Sequence, residues 1–183
     1  MFDNIETISG IKTILKAIKI SDALDICGLR NNEANNKYLS SQLQINVEQQ
    51  EEWINEYLSR KDGEYFVIHN LDAKIVGSIS LYNASNDSAE FGRYICNNPI
   101  NAIESEFLLL KYGFESLNLN RIYCKTVFAN TKVWNQHTKF GFINRGEELD
   151  TRINQNVVIQ EISKAEFNTF DYSWIHKLIS RFK

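Results

Sequence analysis

The amino-acid sequence predicts a single α/β (α+β) domain, a mixed and mostly antiparallel central sheet with helices on both faces. Three observations predict it. The hydrophobic period shortens from helical spacing in residues 47–60 to alternation in residues 64–96, so a helix gives way to a hairpin meander. Residues 89–117, AEFGRYICNNPINAIESEFLLLKYGFESL, then run from a strand through a polar loop with the only proline, Pro99, into a strongly apolar helix, and a further strand pattern follows at 120–128. Finally, 183 residues that are 43% hydrophobic and 12% aromatic can bury one sizeable core, and no linker or low-complexity run divides them. A strand–helix–strand unit placed after antiparallel hairpins makes the sheet mixed.

Residues 11–20 read as the first strand, ended by Ser21-Asp22, which supply a helix start. The helix over 21–29 sets Ala23, Leu24 and Cys27 on one face and empties into Arg30-Asn31-Asn32; a second short helix covers 33–39. Asn46 caps a helix over 47–60 that carries Val47, Trp53, Ile54, Tyr57 and Leu58 at helical spacing. Strands over 64–69 and 74–82 flank Asn70-Leu71-Asp72-Ala73, whose Asn and Asp favour a turn, and 89–96 completes the meander. Asn101 and Glu104 have the spacing of a capping box at the start of the long apolar helix. A strand over 120–128, a short helix over 130–139 and a last strand over 154–162 follow, with room for another short strand after Gly141. One domain spans 1–183, and 163–183 form a helical extension. Its segment 171–183 aligns Trp174, Ile175, Leu178, Ile179 and Phe182 as a docked terminal helix, with a homodimer contact as the alternative.

The bulk properties exclude several classes. A formal net charge of −3 with dispersed Lys and Arg is unlike the basic stripe of a nucleic-acid binder. Cys27, Cys96 and Cys124 are odd in number, sit among apolar residues and lack metal-like spacing, so they read as reduced core thiols and no metal is expected. No leader pattern and no run of eighteen apolar residues is present. The expectation is a soluble, cytoplasmic protein with no membrane partner.

A strand that feeds a helix through a tight loop makes an anion site, because the first N–H groups of the helix are unpaired and its dipole is positive there. Loop 97–101 therefore reads as a phosphate cradle, with an ordinary helix cap as the plain alternative.

The order of elements, with VGSISLY, AEFGRYI, the long helix ending in YGFESLNLNRIYCKTVFAN and a second helix ending in KFGF, resembles the GCN5-related N-acetyltransferase superfamily. The branch it is most similar to contains ribosomal-protein N-terminal and amino-sugar N-acetyltransferases. The resemblance spans about residues 11–162 and is most specific over 113–142. It implies acetyl-coenzyme A bound where two parallel strands splay apart, here the strand ending at Cys96 and the one from Asn120, with the pyrophosphate on the loop. The family's usual loop glycines fall on Asn98 and Ile100, and this chain has neither glycine. Such a loop leaves another acyl-coenzyme A or an acylated carrier protein open as donor, and also a binding module that no longer turns over.

The resemblance implies direct attack of a primary amine on a thioester, which needs a base, an oxyanion donor and a proton for the leaving thiolate. Glu90 is the candidate base. His137 occupies the position of a family tyrosine that protonates the thiolate, four residues before Gly141. Backbone around Tyr94, Ile95 and Cys96 is the candidate oxyanion donor and, with Asn98, Ile100, Asn101, Ala102 and Asn130, the candidate cofactor contact. Asn130 reads equally as a helix cap. Arg30, Asn31 and Trp53 border the acceptor groove, the guanidinium suited to a phosphate or carboxylate. The acceptor implied is a small-molecule amine, first an amino sugar linked to a nucleotide, and in second place a protein N-terminus.

Overall fold

The computed structural model of the chain describes residues 5–39, 43–60, 63–85 and 87–181. Its strands are Thr7–Ser9 (β1), Thr13–Ala17 (β2), Glu64–Asn70 (β3), Ile75–Tyr82 (β4), Ser88–Cys96 (β5), Arg121–Val127 (β6), Ile143–Asp150 (β7) and Gln155–Ser163 (β8). They form one sheet in the order β1-β2-β3-β4-β5-β6-β8-β7. Every neighbouring pair is antiparallel except β5 and β6. The helices are Ala23–Asn31 (α1), Glu33–Asn36 (α2), Val47–Ser59 (α3), Pro99–Lys111 (α4), Thr131–Lys139 (α5), Lys164–Thr169 (α6) and Ser173–Arg181 (α7).

Alternation along β3 divides the interior into two cores, since successive side chains of a strand point to opposite faces. Tyr65 and Val67 pack with Ala23, Ile26 and Leu29 of α1 and Ile54 and Tyr57 of α3. Phe66 and Ile68 face the other way, into a larger cluster with Ile79, Leu81, Phe91, Leu109, Leu110 and Phe114. Helices thus cover both faces, as the sequence predicts. The closing helix α7 buries Ile175 and Ile179 in the larger cluster, and Trp174 meets Phe140 edge-on at 5.4 Å. Phe182 of the same expected face lies outside the described residues.

Several boundaries move for local reasons. The first strand is shorter than 11–20: Ile20–Asp22 already form a 3-10 turn, in which the Lys19 N–H donates to Asp22 at 2.8 Å. An unexpected short strand, β1, pairs ahead of it. On α1 the buried face holds Ile26 rather than Leu24, which is 68% exposed, and Leu58 of α3 is exposed as well. Asn46 does cap α3, in a reciprocal box with Gln49. The strand after Gly141 is not short: β7 runs eight residues as the sheet's edge.

The start of α4 corrects the expected Asn101–Glu104 box. Asn98 is the N-cap, and its Oδ1 accepts from the Ile100 and Asn101 N–H groups at 3.0 and 3.2 Å, with Pro99 at the first helical position, where its missing N–H costs nothing. Asn101 and Glu104, both buried, turn instead toward the β1–β2 connection. Glu104 accepts the Ile11 and Lys12 N–H groups at 2.6 and 2.8 Å, and Asn101 donates to Lys12 O and Thr13 Oγ1. N-x-x-E spacing reads as a box; the backbone N–H groups of a distant turn compete for the same carboxylate and win. Replacing Glu104 by Ala strips two charge-assisted bonds from a buried site, and should lower unfolding stability by about 3 kcal/mol, measured by urea titration. A loss below about 1 kcal/mol would show that the turn is held by other means.

Candidate active site

The parallel ladder of β5 and β6 holds three pairs, Ser88 with Arg121, Ala89 with Ile122 and Glu90 with Tyr123. Past Glu90 the strands part. β6 stays paired with β8 through Val127, while β5 follows β4. The β4–β5 register slips between Ser80↔Gly92 and Ser78↔Ile95, a bulge in which Arg93 adopts a left-handed φ of 49°. A bulge bends and twists its strand, and this one lies where the gap opens. Backbone of β5 from Phe91 to Cys96 consequently has no strand partner on the β6 side.

Glu90 stands at the apex of the gap. It is 8% exposed, and its two oxygens accept from the Tyr82 hydroxyl and the Asn83 amide, each at 2.8 Å. Burial, reinforced by the charge of Glu90, pushes the Tyr82 hydroxyl far above its ordinary pKa, so it remains a donor through the neutral range. Around Glu90 opens a cleft of about 480 Å³, whose walls include Arg30, Trp53, Tyr65, Arg93, Lys125 and Arg152. Four cationic side chains line it against two carboxylates, Glu90 and Asp150.

His137 closes the same cleft from α5. It is 2% exposed, and its Nδ1 lies 2.7 Å from Oε1 of Glu106, a carboxylate of α4 with no exposure at all. The other Glu106 oxygen accepts from Gln136 at 2.7 Å. With Nδ1 committed to Glu106, proton exchange between this ring and the cleft runs through Nε2. The turn after α5 fixes the ring. Gly141, at φ 93°, lets its N–H reach Thr138 O and the Phe142 N–H reach His137 O, a Schellman closure, and it brings Phe142 to 5.3 Å from the imidazole. The KFGF pattern therefore has a mechanical reading: glycine is the residue that turns the chain back onto His137.

A second cleft of about 480 Å³ continues from the first, between the end of β5, the first turn of α4 and the start of α5. Tyr94, Ile95, Cys96, Ala102, Asn130 and Lys132 contribute to its lining. Asn130 occupies the N-cap position of α5 yet makes no side-chain cap bond, so its amide is available to the cleft. Burial pushes the Cys96 thiol up to about 11 and holds the Cys124 thiol well above the ordinary range, so neither is a ready nucleophile.

The structure therefore brings Glu90, His137, Arg30, Trp53, Tyr94, Ile95, Cys96, Ala102 and Asn130 to one continuous groove. It does not bring Asn31, whose side chain holds the backbone of Ile45 at both ends, at 2.7 and 3.0 Å. Nor does it bring Asn101, turned to the β1–β2 connection, or Ile100, whose N–H is taken by Asn98. Arg93, Tyr82, Glu106 and Gln136 escaped sequence reasoning. Glu106 lay in an apolar helix with its partner thirty-one residues away, and Arg93 owes its place to a bulge. Among the described residues no three His, Cys, Asp or Glu converge as a metal site, and no helix is long and apolar enough to cross a membrane.

The fit of this groove to the donor that the resemblance implies is uneven. The unpaired edge of β5 and the free amide of Asn130 suit an extended amide-bearing arm. The first N–H groups of α4 are occupied by Asn98, and Pro99 offers none, so a diphosphate meets a capped helix start with Lys132 on the facing wall.

The family model described as an acetyltransferase (GNAT) domain matches residues 12–143. FdhC, described as a nucleotide-linked sugar GNAT, superposes in its apo form with a TM-score of 0.76 at 26% identity, covering 96% of this chain and 97% of its own. Spermidine N-acetyltransferase from Vibrio cholerae, in complex with CoA and spermine, gives 0.76 at 22%, covering 87% of this chain and 100% of its own. An acetyltransferase of the GNAT family from Bacillus anthracis gives 0.75 at 18%, covering 87% and 99%. The last two share the fold. No curated protein sequence matches the chain.

The raised thiol pKa carries a checkable consequence. The thiolate fraction of Cys96 at pH 8 should be on the order of a hundredth of that of a free thiol. Alkylation by iodoacetamide, followed by mass spectrometry, should be correspondingly slow and rise with pH toward about 11. Reaction at the rate of a free cysteine would reopen an acyl-thiol route.

Proposed function

Because the chain belongs to the GNAT acetyltransferase family, and is an N-acetyltransferase, we propose that it moves acetyl from acetyl-coenzyme A to the primary amine of an amino sugar linked to a nucleotide. One observation supports the reaction most: β5 and β6 part at a buried carboxylate, Glu90, and leave an unpaired strand edge beside it. Acetyl-coenzyme A supplies the acetyl group as a thioester already activated toward amines. The second cleft, with the β5 edge and Asn130, is the place for the donor, and the cleft around Glu90 is the place for the acceptor. Glu90 accepts a proton from the acceptor ammonium, directly or through water, and keeps its geometry through Tyr82 and Asn83. As the amide bond forms, His137 gives a proton from Nε2 to the departing sulfur while Glu106 holds Nδ1, and the second proton shed by the amine nitrogen passes to water.

The sign of the cleft separates the acceptors. With Lys125 paired to Glu148 and Arg152 to Asp150, Arg30 and Arg93 face one remaining carboxylate, Glu90, and this surplus of positive charge suits an anionic acceptor and opposes a polyamine. A protein N-terminus would gain from mostly acidic walls, whereas here the cations outnumber the carboxylates. The likeness to FdhC agrees with the sugar reading.

Release of free thiol from acetyl-coenzyme A, measured across nucleotide-linked amino sugars, free amino sugars, spermidine and N-terminal peptides, tests this directly. Turnover should be highest on a nucleotide-linked amino sugar; preference for spermidine or a peptide would overturn the acceptor. On the best acceptor, Glu90→Gln should lower kcat by about a hundredfold and leave coenzyme A affinity unchanged. For His137 the informative change is to Gln, since Phe would strand Glu106 as an unpaired buried charge. His137→Gln should lower kcat by about tenfold or more, and an unchanged rate would remove His137 as the acid.

A further inference from the structure

Two cations of the acceptor cleft are already matched. Lys125 holds Glu148 at 2.6 Å and Arg152 holds Asp150 at 2.8 Å. Arg30 and Arg93 are different. Among the described residues neither guanidinium has a carboxylate within ion-pair distance, although both line the cleft and both are half-buried. Tyr65 of β3 lines the same cleft; burial pushes its hydroxyl pKa up, and the charges of Arg30 and Arg93 both pull against that rise.

Arg93 is held for this position at some cost. Its backbone takes the left-handed conformation that a non-glycine residue avoids, at the bulge of β5. Its guanidinium lies 4.1 Å from the centre of the Tyr82 ring and 5.3 Å from that of Trp53. Trp53 is itself stacked on Tyr57 at 5.6 Å, so the platform is rigid. Rings on its faces leave the N–H edges of a planar guanidinium as its bonding surface. Arg30 approaches from the last turn of α1, on an element that packs against α3.

Two like charges that line one cleft without a counterion repel, and the repulsion is relieved when an anion binds between them. We infer that Arg30 and Arg93 form a two-guanidinium clamp for the diphosphate of the acceptor, with Arg93, through its bulge and its aromatic seat, as the residue that selects phosphorylated acceptors. This rests on the acceptor reading above and adds the atoms that would enforce it. A diphosphate matches two forked donors better than a single phosphate or a carboxylate does, because each guanidinium can take its own phosphoryl group. Arg30 and Arg93 line the cleft around Glu90 and not the second cleft, so the clamp is distinct from the place taken by the phosphates of coenzyme A.

The test saturates the protein with coenzyme A, which fills the donor groove, and titrates uridine diphosphate by calorimetry. Binding is expected, about tenfold or more tighter than that of uridine monophosphate. Arg30→Gln and Arg93→Gln should each weaken it by about tenfold or more, and Arg93→Lys should recover only part, since the charge returns without the fork and the stack. Coenzyme A affinity, measured alone, should stay as in the wild type. No binding to the saturated wild type, equal affinity for mono- and diphosphate, an undiminished affinity in Arg93→Gln, or a parallel loss of coenzyme A binding would each overturn the clamp. If Arg93→Gln does not fold, Arg30→Gln and Arg93→Lys carry the same decision. Clamp and reaction fail separately: diphosphate binding without acetylation of any amine keeps the clamp and removes the acceptor reading, whereas acetylation of an amino sugar without diphosphate binding does the reverse.

Discussion

The parallel ladder between β5 and β6 lasts three residue pairs, and its length is set by competing partners on either side. β6 remains zipped to β8 over seven pairs, from Arg121↔Ser163 to Val127↔Val157. β5 remains with β4, and the extra residue at Arg93 twists it away. A sheet cannot satisfy both demands without opening. The opening exposes backbone donors and acceptors of β5 inside the molecule, where an unpaired polar edge is costly unless a ligand or water completes it. Glu90, the last residue of β5 paired with β6, is thereby held at the mouth of the gap.

Buried carboxylates organise what surrounds this gap. Helix α4 carries two of them. Glu104 grips the β1–β2 connection through two backbone N–H groups, and Glu106 grips His137 and Gln136 of α5. A carboxylate removed from water is tolerable only when its oxygens are matched by good donors. Each oxygen of both residues has one. The apolar face of α4, with Leu109 and Leu110, supplies the packing; its two carboxylates decide which neighbours it packs against. The helix that borders the donor groove is in this way tied at once to the far edge of the sheet and to the histidine of the site.

The alternation of residues 64–96 and the apolar run after Pro99 made the meander and α4 legible, because side-chain period and proline placement are local signals. Glu90 and His137 could be picked out through the family resemblance, and Asn46 through capping chemistry. Legibility stopped where a residue chooses between local and distant partners. Asn101 and Glu104 have box spacing, yet the backbone N–H groups of residues 11 and 12 claim the carboxylate. Asn31 follows an arginine of the groove, yet its amide closes on Ile45. Arg93 looked like one more strand residue until a bulge placed it on Tyr82 and Trp53. In each case the deciding partner is remote in sequence, so no local pattern announces it.

Donor binding turns on the open edge of β5, and amide hydrogen exchange reads that edge directly. With acetyl-coenzyme A added, amides of residues 91–96 should exchange more slowly while those of β7, at the opposite end of the sheet from β1, stay as they were. Exchange unchanged across 91–96 at saturating acetyl-coenzyme A would contradict it, because the parting of β5 and β6 would then not be where the donor lies.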